Sequence, residues 1–73
     1  MSTIQPRHYL LALESYMDPK NGTVCYTYAR VCARLLNLSE AFSQEYGHME
    51  GQYDGAGVRV DVGEFNVWAL NHL

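Results

Sequence analysis

The spacing of apolar positions changes several times along this chain, and each change marks an element. From Pro6 to about Met17, the residues Tyr9, Leu10, Leu13, Tyr16 and Met17 recur at three and four positions, which puts one apolar stripe on a helix. Proline suits the first helical turn, where its missing N–H costs no hydrogen bond, so Pro6 is the expected start. Leu11 falls off the stripe between Arg7 and Glu14 and reads as an isolated exposed leucine, or with His8 as part of a contact surface. Asp18-Pro19 stops the helix, and the cluster DPKNG at 18–22 predicts a turn that reverses the chain.

A second helix is predicted over about 24–36, where Val24, Tyr28, Val31, Cys32, Leu35 and Leu36 form its apolar stripe. The period then breaks. Asn37 tolerates the left-handed conformation of a helix exit, Leu38 can plug the corner, and Ser39 is the expected N-cap of a third helix over about 40–50. That helix would bury Phe42, Tyr46 and Met49, and it ends or bends at Gly47, which costs about 1 kcal/mol relative to alanine inside a helix. Gly51 to Gly57 reads as a loop; no Lys-Ser or Lys-Thr follows its glycines and no strand leads into it, so it is not a phosphate loop.

Val58, Val60 and Val62 alternate with Arg59 and Asp61, the period of a half-buried strand over 58–62. Gly63-Glu64 can turn the chain. The segment 65–70, FNVWAL, then has two readings. It is expected as the returning strand of a hairpin; the alternative is a short C-terminal helix, for which Asp61 and Glu64 have the spacing of a capping box. The expected fold class is therefore α+β, mainly α: one domain over 1–73, with three helices, a helix-turn-helix corner at 36–39 and a C-terminal hairpin.

At 73 residues a single core is near the lower limit of independent stability, a limit that dimerisation or docking on a partner would relieve. The composition, 48% hydrophobic and 18% charged, is that of a globular chain, and the longest apolar run is too short to span a bilayer. No export signal is visible near the N-terminus, so a cytoplasmic setting is expected. Cys25 and Cys32, seven apart on one predicted helix, would lie about 10 Å apart along its axis and out of disulfide reach. They read as reduced core thiols; with no His or Asp ligand at close spacing, neither a metal nor a cofactor is expected.

The formal charge of −3 conceals a division. Residues 1–35 carry Arg7, Lys20, Arg30 and Arg34 against Glu14 and Asp18, a balance of +2; residues 36–73 carry Arg59 against Glu40, Glu45, Glu50, Asp54, Asp61 and Glu64, a balance of −5. The second half would repel a phosphate backbone. The concentrated positive feature is the ridge Tyr26, Arg30 and Arg34, spaced at i, i+4 on the predicted second helix. It reads either as a solvated face or as a contact for an acidic partner or phosphate.

The histidines His8, His48 and His72 are far apart and none has a partner at a catalytic spacing, so no enzyme is expected. The order helix, helix-turn-helix, hairpin resembles the winged helix-turn-helix domain of small bacterial and phage transcription regulators, over about Pro6 to Leu70. Ala33, Leu36, Leu38, Ser39 and Tyr46 carry the resemblance; Asn37 replaces the usual glycine and Ser43 a usual aliphatic. The resemblance implies DNA binding through Ser39, Gln44 and His48 in the groove, with Arg30, Arg34 and Arg59 on phosphates. However, residues 39–50 carry no lysine or arginine, whereas such readers rely on cations to neutralise phosphates. The expected function is thus a non-enzymatic protein-binding adaptor or inhibitor of the sort phages and mobile elements encode. It would present Glu40, Glu45, Glu50 and Asp54, with Tyr26 and Tyr53, to a basic and perhaps nucleic-acid-binding partner, and Arg30 and Arg34 to a second contact; six tyrosines suit such a surface.

Overall fold

The computed structural model describes residues 5–47 and 58–73, which form four helices and a two-stranded antiparallel sheet. Pro6 opens α1 (Pro6–Glu14), as its fixed φ favours, and the Gln5 backbone N–H donates to His8 Nδ1 at 3.1 Å. The helix closes three residues short of the expected Met17. The N–H groups of Ser15, Tyr16 and Met17 each donate to a carbonyl three residues back, which tightens the chain into turns before Asp18. The expected reversal at 18–22 is present: Gly22 N–H donates to Asp18 O at 2.8 Å, and Gly22 holds a φ of +69°, where a side chain would be strained.

The chain then departs from the predicted helix. Thr23–Cys25 is a strand, β1, and α2 (Tyr26–Leu35) begins directly after it. The partner of β1 is β2 (Arg59–Asp61), with Val24 opposite Val60. Val58, Val60 and Val62 are all buried and Arg59 and Asp61 exposed, as their alternation predicts. The expected hairpin is overturned, because 65–70 lies inside a fourth helix, α4 (Val62–His72). Two forces decide this. Asp61 Oδ1 accepts the Glu64 N–H at 3.0 Å and caps the helix, and Phe65, Trp68 and Ala69 recur at helical spacing, so one face is buried. The strand finds a partner 36 residues earlier instead of in the next segment.

Starting α2 after Cys25 also shifts which face is buried. Tyr26, Ala29, Cys32, Ala33 and Leu36 turn inward, whereas Tyr28, Val31 and Leu35, expected in the core, are exposed. Ala29 and Ala33 have no bulk, so this face approaches its neighbours closely; the larger residues are left outside. The exit from α2 is as predicted. Asn37 sits at φ +64°, Leu38 N–H donates to Ala33 O at 2.8 Å and Asn37 N–H to Arg34 O at 3.0 Å, the two bonds of a Schellman termination. Leu38 packs against the core as the corner's plug. Ser39 is a correction: Leu38 holds the N-cap position of α3 (Ser39–Tyr46), no side chain caps it, and Ser39 is the first helical residue.

The core is aromatic where α2, α3 and α4 meet. The rings of Tyr26, Phe42, Tyr46, Phe65 and Trp68 form seven close pairs with centroids 4.9 to 6.2 Å apart; Phe42 takes part in four of them, and Phe65 is 0% exposed. Against α1 the core is aliphatic, through Leu10 and Leu13. No helix among the described residues is long and apolar enough to cross a membrane. Met49 and the predicted loop at 51–57 lie outside the described residues.

Candidate binding surfaces

Several concavities open beside the helices, and three of them differ in charge. The first lies between α2 and the first turn of α3 and has a volume of about 320 Å³. Arg30 and Arg34, one turn apart on α2, share it with Thr27, Ser39 and Ser43, so the sequence's arginine ridge does stand beside the start of α3. Tyr26, expected on the outer face in that ridge, is instead 7% exposed, its ring tilted at 46° against Phe42 at 5.5 Å; it forms the wall of the cleft, not a surface anchor.

The second lies between α3 and the start of α4, an open groove of about 600 Å³ lined by Glu45, Tyr46, Asp61, Gly63, Glu64, Val67 and Trp68. Three carboxylates from α3, β2 and α4 converge here, and no lysine or arginine lines it among the described residues. Their effect is felt by the Tyr46 phenol. Its pKa is pushed above its ordinary value near 10.0, first by burial and then by Glu45, Glu64 and Asp61, each of which disfavours a phenolate. The Trp68 indole N–H is buried with no acceptor among the described residues. Glu40 and Gln44 line neither concavity; with Asn37 they border a separate one of about 300 Å³.

The third concavity is the apolar groove between α1 and α2, about 330 Å³, lined by Tyr9, Ala12, Leu13, Tyr16, Thr27, Tyr28, Val31, Cys32 and Leu35. The Tyr16 and Tyr28 rings meet across it at 4.8 Å.

Of the residues singled out from sequence, Arg30, Arg34 and Ser39 come together, and Glu45 is drawn away to the α4 side. Arg59 joins neither group. Its Nε donates to Thr23 Oγ1 at 2.7 Å and its Nη2 to Thr23 O at 2.8 Å, which ties the guanidinium to the sheet. His48, Glu50, Tyr53 and Asp54 lie outside the described residues. Asp61, Glu64 and Trp68 were missed. The capping-box spacing held the signal: read as a helix, 62–72 puts Glu64 and Trp68 one turn apart on one face.

The thiols are both free. Cys25 stands in β1, half-buried, and Cys32 is buried with its thiol 3.7 Å from the Tyr9 carbonyl, to which it donates. Burial raises the Cys32 pKa from 9.0 to about 11. The unfolded thiol ionises first, so the unfolded state holds fewer protons between these values and stability falls as pH rises through that window, by at most about 1.4 kcal/mol per pH unit. Denaturant melts at successive pH values should show the midpoint dropping above about pH 9, and Cys32→Ala should flatten the drop. His8 and His72 are bonded locally, the latter with Nδ1 2.9 Å from Trp68 O. No group of three His, Cys, Asp or Glu side chains among the described residues, those of the acidic groove included, is arranged to hold a metal ion.

Comparison with known proteins gives no match: no family model fits the chain, and neither a curated protein nor a solved structure is significantly similar to it.

Proposed function

We propose that this chain is a non-enzymatic, cytoplasmic adaptor or inhibitor, of the kind phages and mobile elements encode, which seats a basic segment of a partner protein in the groove between α3 and α4. One observation carries the reading. Glu45, Asp61 and Glu64 reach the same groove from three separate elements, beside the rings of Tyr46 and Trp68. An arginine or lysine entering it meets carboxylates for charge-assisted hydrogen bonds and an aromatic face for its cationic head. A partner with a basic surface, such as one that itself holds nucleic acid, has the matching chemistry. Acidic residues also steer a basic partner during approach and raise its rate of association at low salt.

A second reading has a specific observation in its favour. Arg30 and Arg34 flank Ser39 and Ser43 at the first turn of α3, where a DNA phosphate would meet two guanidinium groups, in the manner of a winged helix-turn-helix regulator. The positive surface stops there. Glu40 and Glu45 follow along the same helix, and Arg59 is held by Thr23. An adaptor is therefore the stronger reading.

The two are separated by fluorescence anisotropy with duplex DNA over a salt series, paired with capture from the native host. The expected result is no measurable DNA binding even in dilute salt and recovery of a basic protein. Binding that weakens steeply with salt, with a log–log slope of several units, would instead establish the regulator.

A further inference from the structure

The cleft between α2 and α3 takes a polar row from each helix. α2 supplies Thr27, Arg30 and Arg34, which helical spacing places on one side; α3 supplies Ser39 and Ser43, one turn apart. We propose that this cleft binds a small phosphomonoester, its dianionic phosphate held by the two guanidinium groups and the serine hydroxyls. The site is separate from the α3–α4 groove on which the adaptor reading rests, and it puts a small molecule where the second reading puts a duplex.

Charge and donor chemistry select the ligand. No carboxylate lines the cleft among the described residues, so its charged lining is cationic. A phosphomonoester carries close to two negative charges at neutral pH and three terminal oxygens that accept strong hydrogen bonds. Guanidinium matches it twice over: its fork of donors fits phosphate oxygens in pairs, and it keeps its charge at every accessible pH. The hydroxyls of Thr27, Ser39 and Ser43 add neutral donors for the remaining lone pairs. Ser39 is also the first residue of α3, and no side chain caps that helix, so its positive dipole end adds to the attraction. A carboxylate brings one charge and two oxygens, and a phosphodiester one charge; both fill this donor set less completely.

Size and surroundings select a small ligand over a polymer. A volume of about 320 Å³ lies at the lower end of the range for small-molecule sites, roughly 300–1,000 Å³. Tyr26, Val31 and Phe42 complete the lining and give the group that carries the phosphate an apolar wall. A duplex laid on the same spot also has to pass Glu40 and Glu45 along α3, whereas a small dianion meets only the cleft. Glu40 lines a separate concavity and leaves this one cationic.

The test is a two-dimensional amide NMR titration with phenyl phosphate in about 0.15 M salt, run beside methyl phenyl phosphate, the monoanionic diester, and a short DNA duplex. The expected result is saturable phenyl phosphate binding with a Kd below about 1 mM, shift changes centred on the residues lining the cleft, and at least about 10-fold weaker binding of the diester. Arg34 and Ser43 are exposed, so Arg34→Gln and Ser43→Ala should keep the circular dichroism spectrum; Ser43→Ala serves if Arg34→Gln does not fold. Arg34→Gln should weaken binding at least about 10-fold and Ser43→Ala less, while Lys20→Gln, in the turn before β1, should leave it unchanged. Four results would overturn the proposal: no saturation by about 10 mM phenyl phosphate, a diester bound as tightly as the monoester, binding indifferent to both substitutions, or a duplex that binds where phenyl phosphate does not. None of the four bears on the α3–α4 groove, so this site and the adaptor reading fail separately.

Discussion

Phe65→Ala should cost about 3–5 kcal/mol and leave much of the chain unfolded at room temperature. The residue is fully buried, and its ring lies 6.1 Å from Phe42, 6.2 Å from Tyr46 and 5.4 Å from Trp68. Truncation removes the transfer free energy of the ring and opens a cavity walled by rings of α3 as well as of α4 itself, which the surrounding structure can only partly fill. A single core in a domain of this length rarely supplies more than about 3–5 kcal/mol, so the loss is comparable with the whole. Urea titration followed by circular dichroism and by fluorescence of the single tryptophan, Trp68, measures it. Val67→Ala on the exposed face of α4 is the control and should stay within about 0.5 kcal/mol of the parent. A loss below about 1 kcal/mol for Phe65→Ala would mean that α4 does not close the core.

The largest functional effect is expected from reversing charge in the acidic groove. Glu45→Lys with Glu64→Lys replaces two of its three carboxylates by ammonium groups and should weaken partner binding at least about 100-fold, since attraction becomes repulsion at two contacts. Both residues are exposed, so folding should survive. Glu40→Lys, which lies outside the groove, should change affinity far less. The double variant has a second readout that needs no partner. Glu45 and Glu64 help raise the Tyr46 pKa, so their replacement should bring it back toward the ordinary phenol value in an NMR titration. Unchanged partner binding in the double variant would sink the adaptor reading, and an unmoved Tyr46 pKa would show that the three groups do not meet.

Local rules were legible wherever one residue settles a conformation without help from a distant segment. Proline opening α1, glycine at the reversal before β1, and asparagine in the left-handed exit of α2 all stand where their backbone preferences put them. The three valines of 58–62 share a buried side because alternation in a strand admits no other face. Charge segregation was visible too, as a count. Its location was not: Glu40 and Glu45 both belong to α3, yet only Glu45 turns toward Asp61 and Glu64.

The misreadings share one cause. Val24 continues the helical spacing of Tyr28 and Val31, so the local pattern predicts a helix from about residue 24. In the folded chain Thr23 to Cys25 pair with Arg59 to Asp61 instead, and that pairing displaces the helix start to Tyr26 and rotates its buried face onto Ala29 and Ala33. The same strand pairing frees 62–72 from hairpin duty, and the Asp61 cap then directs it into a helix. The amino-acid sequence by itself thus determined where α1 opens and α2 exits, which strand side was apolar and how much negative charge the second half carries. The tertiary structure alone decided which strand β2 would join, which face of α2 would be buried and which carboxylates would stand together. Those outcomes depend on contacts between segments tens of residues apart, and hydrophobic burial is non-directional, so no local pattern specifies its partner.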